Sequence, residues 1–519
     1  MSSTATRPSE PVGRFCLVLH THLPWLAHHG SWPVGEEWLY QAWSTSYLPL
    51  VDLLHELAAE GRRDVLTLGL TPVLAAQLDD PYCLSEEQTW LGFWDARALA
   101  LASDRDPVVR EAGAREHRAS RRALDSFDRH WRAGGSGALR PLIDAGVIEL
   151  LGGPATHPFQ PLLDERIAGF SLRTGLDDGR ARLGARPAGI WAPECGYRPG
   201  LEQLYAEAGV THFLIDGPTL RHVGADTSAA YTVGDSDVVA FARDLDITYR
   251  VWSPKKGYPG GPWYRDFYAI DTDSGFRRWR VTNTHSPDKA PYEPERANDA
   301  ALADARDFVA HVRDHLLTIR EQRDGRPGIA IAAYDTELFG HWWHEGPTWL
   351  GHVLRLLPQA GVEVSTLNAA LEAGAVEGRV DLESGSWGSG KDWRVWNGDS
   401  VRDLVDDNNA LQSRVVDVVD KQLAHGDGFR DPLLDQLVRT GLLALSSDWA
   451  FMVTKDTAAQ YARHRHRDHH AAFTRLADLI ESAGFSPRDS SSRTTIALNE
   501  AASQRHSDGP FAHLDARLL

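Results

Sequence analysis

The sequence predicts an α/β protein built on a parallel barrel, complete or one strand short. Three observations predict it. Short apolar runs bounded by turn or polar residues recur through the first two-thirds of the 519-residue chain. Long helix-patterned stretches separate them, and five of the seven runs end on an ionisable residue. Near-continuous apolar strands belong to a parallel sheet covered on both faces, and strand–helix alternation closes such a sheet into a barrel.

The runs, in order, are 15–19, 65–70, 147–151, 189–191, 212–215, 329–334 and 362–365. Between them lie helix patterns at 47–60, 85–132 (two or three helices), 165–183, 201–208 and 349–357. Residues 217–327 break the rhythm. They are rich in Gly, Pro and aromatics, with local strands expected at 238–243 and 276–283, and are read as an insertion on the barrel. After residue 366 the pattern is mainly helical (407–423, 432–445, 457–483), interrupted by the Trp-rich stretch 385–399. The division expected is a barrel over 12–366, a helical C-terminal domain over 367–485, and a Ser- and Arg-rich, loosely ordered tail over 486–519.

Composition narrows the function. The chain is 42% hydrophobic and 24% charged, as soluble globular proteins are, and carries a net charge of −18. Such a charge opposes nucleic acid and anionic membranes, but not neutral sugars. Three scattered cysteines suit neither a disulfide framework nor a zinc knuckle, and no apolar run approaches 18 residues. A cytoplasmic location is expected. Eighteen tryptophans are many; indole offers a flat apolar face and a polar N–H, which suits sugar faces as well as cores.

Functional groups of a parallel barrel lie at the carboxyl ends of its strands. The runs end on His20 and His22, on His157, on Glu194, on Asp216, and on Asp335 and Glu337. Two acids on separate strands, flanked by aromatics, suit glycosidic bond cleavage. A rival arrangement uses His20, His22, His157 and Asp335 as ligands of a hydrolytic zinc, since residues i and i+2 of a strand share a face. His464, His466, His469 and His470 are read as a solvated helix face rather than a metal cluster.

At these residues the sequence resembles glycoside hydrolase family 57, and within it the 1,4-α-glucan branching enzymes. The resemblance runs from residue 15 to about 475. It is carried by 20–24 (His-Thr-His-Leu-Pro), 152–158, 191–197 (Trp-Ala-Pro-Glu-Cys-Gly-Tyr), 333–343, 386–396 and 446–449. The resemblance implies an incomplete (β/α)7 barrel with a helical C-terminal domain, a retaining mechanism and no metal or other cofactor. Glu194 is then the nucleophile and Asp335 the acid/base. His20, His22 and His157 hold the sugar at the cleavage point. Trp32, Trp38, Trp263, Trp387, Trp396 and Trp449 stack or steer an α-1,4-glucan serving as donor and acceptor, and Asp448 is a further substrate contact.

One departure bears on product. The resemblance implies a long loop after the fifth strand whose tip tyrosine covers the site. Here the corresponding stretch, 217–238, is short, with Tyr231 as its tyrosine. Tyr231 is expected over the acceptor side, and a short cover would let hydrolysis or 4-α-glucan transfer compete with branching. A non-catalytic glucan-binding protein is the reading outside enzymology.

Overall fold

The computed structural model describes residues 10–32, 34–253, 257–425, 428–483 and 492–519. Ten strands form one sheet: β1 (Arg14–Thr21), β2 (Leu66–Leu70), β3 (Ile148–Gly152), β4 (Gly189–Ile190), β5 (His212–Asp216), β6 (Ala230–Val233), β7 (Val239–Arg243), β8 (Ile329–Asp335), β9 (Glu363–Ser365) and β10 (Val376–Val380). Seven of them run parallel in the order β7-β5-β4-β3-β2-β1-β8. The two ends meet where the Asp244 N–H, just past β7, donates to the Ile331 carbonyl of β8 at 2.8 Å. This is the incomplete (β/α)7 barrel. β6 extends it antiparallel to β7, β10 pairs with β6, and β9 lies along the first residues of β1.

β1, β2 and β8 are buried on both faces because apolar residues, mainly Val, Leu, Ile and Ala, occupy most of their positions. Fully burying such a side chain contributes about 1.5–3 kcal/mol, enough to carry strained residues at the strand ends. Helices begin where Asp-Pro pairs stand. Asp80, Asp106 and Asp431 each accept a backbone N–H two residues on, with proline in the first turn. Asp164 caps Glu165–Leu183, and Gly184 ends that helix at φ 78°.

Helices Arg402–His425, Pro432–Ala444, Ser447–Lys455 and Ala459–Ala483 dock on the carboxyl rim of the barrel. Pro158 and Ser446 form an isolated bridge, the Ser447 N–H donates to the His157 carbonyl (3.0 Å), and Thr156 Oγ1 donates to the Leu442 carbonyl (2.6 Å). Among the described residues no helix is long and apolar enough to cross a membrane.

Four expectations are corrected. The run at 362–365 is the short β9, off the barrel order. The barrel strand in its place is β7, inside the stretch read as an insertion. No strand forms at 276–283, only the single bridges of Trp279 and Arg280. The end of the chain is not loose. Residues 486–491 lie outside the described residues, but Ser492–Ser507 is helical and Phe511, Leu514 and Ala516 are buried. Arg439 and Arg430 hold this end by donating to the carbonyls of Pro510, Phe511, Ala512 and Leu514. Nor is the histidine-rich helix a solvated face. His466 and His469 are buried, and His466 and His470 both meet Asn408 Oδ1; only His464 of the four is exposed.

Candidate active site

β4 ends at Ile190, and Glu194 follows in a tight turn with φ 62°; Cys195 has φ 48°. Two successive non-glycine residues in the left-handed region cost energy and persist only where surroundings impose them. Here the Trp387 N–H donates to the Glu194 carbonyl at 2.9 Å, and those of Cys195 and Gly196 close back on Ala192 and Pro193. The turn aims a buried carboxylate at the barrel axis. Trp387 Nε1 donates to Oε2 at 2.8 Å and Ser447 Oγ to Oε1 at 2.9 Å. Burial lifts Glu194 to about 7, and the bond from Trp387 pulls the other way.

Asp335 ends β8, in register with His20 of β1, which on its other side faces Gly69 of β2. No donor contacts its carboxyl among the described residues, and burial raises it to about 6. Glu337, two residues on, is buried and accepts the Tyr47 hydroxyl at 2.5 Å. Burial first, then the Asp335 charge, push Glu337 to about 8. The segment is braced from below by the π-helical turn Trp43–Tyr47: Ser46 Oγ donates to the carbonyls of Thr336 and Phe339 at 2.8 Å. Gly340 (φ 111°) closes the turn, and a Cβ there would stand 1.8 Å from the Thr45 carbonyl oxygen.

Three histidines form the floor. His20 Nε2 lies 3.1 Å from His157 Nε2, and the His22 ring stacks on His157 at 3.7 Å. His157 Nδ1 meets Ser447 Oγ at 2.9 Å, so one hydroxyl links the histidine to Glu194. Burial, and then the neighbouring histidines, hold His20 and His157 well below the usual imidazole range. His22 goes the other way. Burial pulls it down, but Asp448 at 3.0 Å more than offsets that, and Asp448 itself falls to about 2. The His22 charge favours ionisation of Glu194, Asp335 and Glu337 alike, so these groups share one space.

Asp216 is read by the sequence as a rim acid, and it is neutralised instead. It is fully buried between Arg243 (2.8 Å) and Lys391 (2.7 Å). Arg243, at the end of β7, also lies 5.2 Å from the Trp387 ring. Arg243, Ser447 and Glu337 are thus parts of the arrangement not among the predicted site residues. Ser447 had a signal in its neighbours Asp448 and Trp449. Arg243 had none without recognising β7.

The predicted aromatic contacts divide. Trp387 borders the site, edge-on to Trp191, whose ring stacks on His20 at 4.3 Å. Trp396 and Trp449 are corrected: both are 1% exposed and offer no free face. Trp396 stacks on Phe159, and Trp449 packs with Leu404 and Met452 while donating to the Leu443 carbonyl. Trp38 is half-buried against that same cluster, Trp32 is 81% exposed beside Pro33, which lies outside the described residues, and Trp263 is held by Arg280 (4.3 Å) and Arg296 (4.6 Å).

Tyr231 is also corrected. It is not in a covering loop but within β6, opposite Ala240, and it packs with the apolar residues of the sheet edge. Arg323 and Glu377 act on it, and nearby Ser228 accepts the Ile329 N–H where β8 starts. Tyr231 therefore stands toward the amino end of the barrel, opposite the acids. The stretch after β5 is short enough to turn at once into helix Gly217–His222 and return as a strand.

What remains is a buried carboxyl with two donors, Glu194, a second carboxyl without a donor among the described residues on a separate strand, Asp335, and a histidine floor. Comparison with known proteins gives the family. The family model for Glycosyl hydrolase family 57 matches residues 16–382, and that for the 1,4-alpha-glucan branching enzyme C-terminal region matches 408–518. A probable 1,4-alpha-glucan branching enzyme of Mycobacterium tuberculosis is 51% identical, covering 99% of each chain. The crystal structure of a branching enzyme from Pyrococcus horikoshii superposes with a TM-score of 0.89 at 31% identity, covering 98% of this chain and 96% of that one. An α-amylase from Thermotoga maritima superposes at 0.84 with 25% identity, covering 98% of each. With the family model spanning the whole barrel and both acids within it, the chain belongs to glycoside hydrolase family 57.

Proposed function

We propose that this protein is a 1,4-α-glucan branching enzyme working by retaining glycosyl transfer. The observation that carries the roles is the inequality of the two carboxyls. Burial raises both, Glu194 to about 7 and Asp335 to about 6, and what separates them is their donors. Both oxygens of Glu194 accept hydrogen bonds, which favours an ionised nucleophile, whereas Asp335 accepts none among the described residues and is free to carry and give a proton. Glu194 attacks the anomeric carbon while Asp335 gives its proton to the leaving glycosidic oxygen. Asp335 then takes the proton of an incoming glucan 6-hydroxyl, which displaces Glu194 and leaves an α-1,6 bond. The chain named for branching in M. tuberculosis, at 51% identity, supports the choice of acceptor.

The substrate in this reading is an α-1,4-glucan as donor and acceptor, no cofactor is invoked, and the location is cytoplasmic, where Cys16, Cys83 and Cys195 stay as buried thiols. The barrel and the helical segment after 367 act together, since Glu194 is held by Trp387 and Ser447. The position of Tyr231 favours some competing hydrolysis or 4-α-transfer, because that tyrosine does not cover the acceptor side. The test is product linkage. Incubated with amylose, the enzyme should form α-1,6 bonds in excess of new reducing ends, and Glu194→Gln and Asp335→Asn should each lose roughly 10³-fold or more with unchanged melting. Reducing ends without α-1,6 bonds would make it a hydrolase, and amylose binding without turnover a binding protein.

A further inference from the structure

The histidines of helix Ala459–Ala483 take no part in the catalytic arrangement, yet two of them converge on one atom. His466 and His470 stand four residues apart and so share a face of the helix. His466 Nε2 lies 3.1 Å from Asn408 Oδ1, and His470 Nε2 lies 3.0 Å from the same oxygen. The two ring centroids are 4.2 Å apart and the planes are tilted by 38°. Asn408 belongs to helix Arg402–His425, so the three side chains join two helices of the C-terminal region.

Both rings turn the same nitrogen to one point, and that point has the chemistry of a metal site. Two histidines at i and i+4 of a helix are a spacing that holds zinc, with nitrogen about 2.0–2.1 Å and oxygen about 2.0–2.2 Å from the ion. Two such bonds span about 2.9 Å at a right angle and about 3.3 Å at a tetrahedral one. The observed 3.0 and 3.1 Å fall between. Burial, and then the neighbouring ring, hold His466 down at about 3, and burial lowers His470 too. Both rings are therefore neutral at pH 7, each with one nitrogen lone pair. In the metal-free protein each Nε2–H donates to the Asn408 oxygen. Moving each proton to Nδ1 frees the Nε2 lone pair with no change in net charge. His466 is buried while His470 and Asn408 are half-buried, which leaves an ion and its waters a way in. The charges around the point balance: Asp403 holds Arg463 at 2.5 Å, and Asp407 acts on His470 as Arg467 does on His466.

We propose that His466, His470 and Asn408 bind one divalent transition ion of the zinc class, water completing its shell, and that the ion staples helix Arg402–His425 to helix Ala459–Ala483. Two imidazoles select zinc, copper or nickel over magnesium and calcium, which take oxygen ligands. Among the described residues none of the three has a hydrogen bond or ring contact with Glu194, Asp335 or the histidine floor. The ion therefore acts on the stability of the helical segment and not on turnover. The proposal is independent of the glucan reading above.

The experiment titrates the full-length, chelator-treated protein with ZnCl2 in a calorimeter, with MgCl2 as the control, and compares the wild type with His470→Ala and Asn408→Asp. The wild type should take up one zinc per chain, ignore magnesium, and melt at a higher temperature as zinc is added. His470→Ala should bind zinc at least about ten-fold more weakly and lose the melting shift, with turnover of amylose as in the wild type. Asn408→Asp puts a charged oxygen at the same place and should tighten zinc about ten-fold, a gain that a hydrogen-bonding role alone does not give. With CuCl2, the electron paramagnetic spectrum should show two nitrogen ligands in the wild type and one in His470→Ala. Where His470→Ala melts too low to be read, the gain in Asn408→Asp decides. No zinc uptake by the wild type up to about 1 mM, or uptake unchanged in His470→Ala, overturns the site. So does zinc that His470→Ala retains and His22→Ala releases, which assigns the ion to the histidine floor of the catalytic site.

Discussion

Trp387 grips Glu194 twice, its indole N–H on Oε2 at 2.8 Å and its backbone N–H on the carbonyl at 2.9 Å. The side-chain bond is one of the forces opposing the effect of burial on Glu194. Trp387→Phe keeps the ring and the backbone bond but removes that donor. Glu194 then ionises at higher pH, so the acid limb of the kcat/KM profile moves upward. A hydrogen bond to a charged group is worth about 1.5–3 kcal/mol, so activity at pH 6 should fall roughly 10- to 100-fold and recover toward high pH. A loss of the same size at every pH would mean that Trp387 only stacks on sugar.

Glu337, raised to about 8, carries its proton at neutral pH. Gln imitates that state, so Glu337→Gln should turn over nearly as wild type at pH 7 and lack an alkaline inflection near 8. The stability effect has a defined sign. The unfolded group ionises near 4.5 and the folded one near 8, so its contribution is complete below 4.5 and is lost as pH rises to 8. Between pH 5 and 8 the wild-type melting temperature should therefore fall more than that of Glu337→Gln. A strong activity loss at pH 7 would show that an ionised Glu337 is needed.

The barrel was legible because parallel strands buried on both faces leave uninterrupted apolar runs, and such strands deliver polar residues to one rim. His20, His157, Glu194 and Asp335 were found that way. β7 was expected only as a local strand at 238–243 and not as part of the barrel, since Val-Ala-Phe-Ala-Arg is five residues long and sits among Gly- and Pro-rich turns that resemble an insertion. Arg243 was missed with it, and Asp216 looked like a free acid because its two cations come from β7 and from residue 391. Burial separates Trp396 from Trp387, and no local pattern encodes it. The packed C-terminus was illegible for a related reason: Arg439 and Arg430 are partners distant in sequence, and composition reports only the serines and arginines.

His22, His157 and Asp448 each offer an atom within 4.8 Å of the others, a spacing open to a metal. The hydrogen bonds argue otherwise. His22 Nδ1 meets Thr71 Oγ1 at 2.9 Å and Nε2 meets Asp448 at 3.0 Å, and Asp448 favours the protonated ring, which has no lone pair to give. Exhaustive chelation should leave the rate unchanged. Loss of activity restored by zinc, with one zinc per chain by elemental analysis, would reinstate the metal centre.

Tyr231 gives the sharpest contrast between position in sequence and position in the fold. Its place in the short stretch after β5 suggested a cover over the acceptor side, yet it pairs with Ala240 near the start of β7 and packs on the sheet edge. An aromatic ring there cannot exclude water from a glycosyl-enzyme formed at the carboxyl end. Tyr231→Ala should leave the ratio of α-1,6 linkages to reducing ends as in the wild type. It should lower stability instead, by about 1–3 kcal/mol for a half-buried ring packed against apolar neighbours, read as a fall in melting temperature. A drop in the transfer ratio with unchanged melting would place Tyr231 in the acceptor path and require β6 to leave the sheet during turnover.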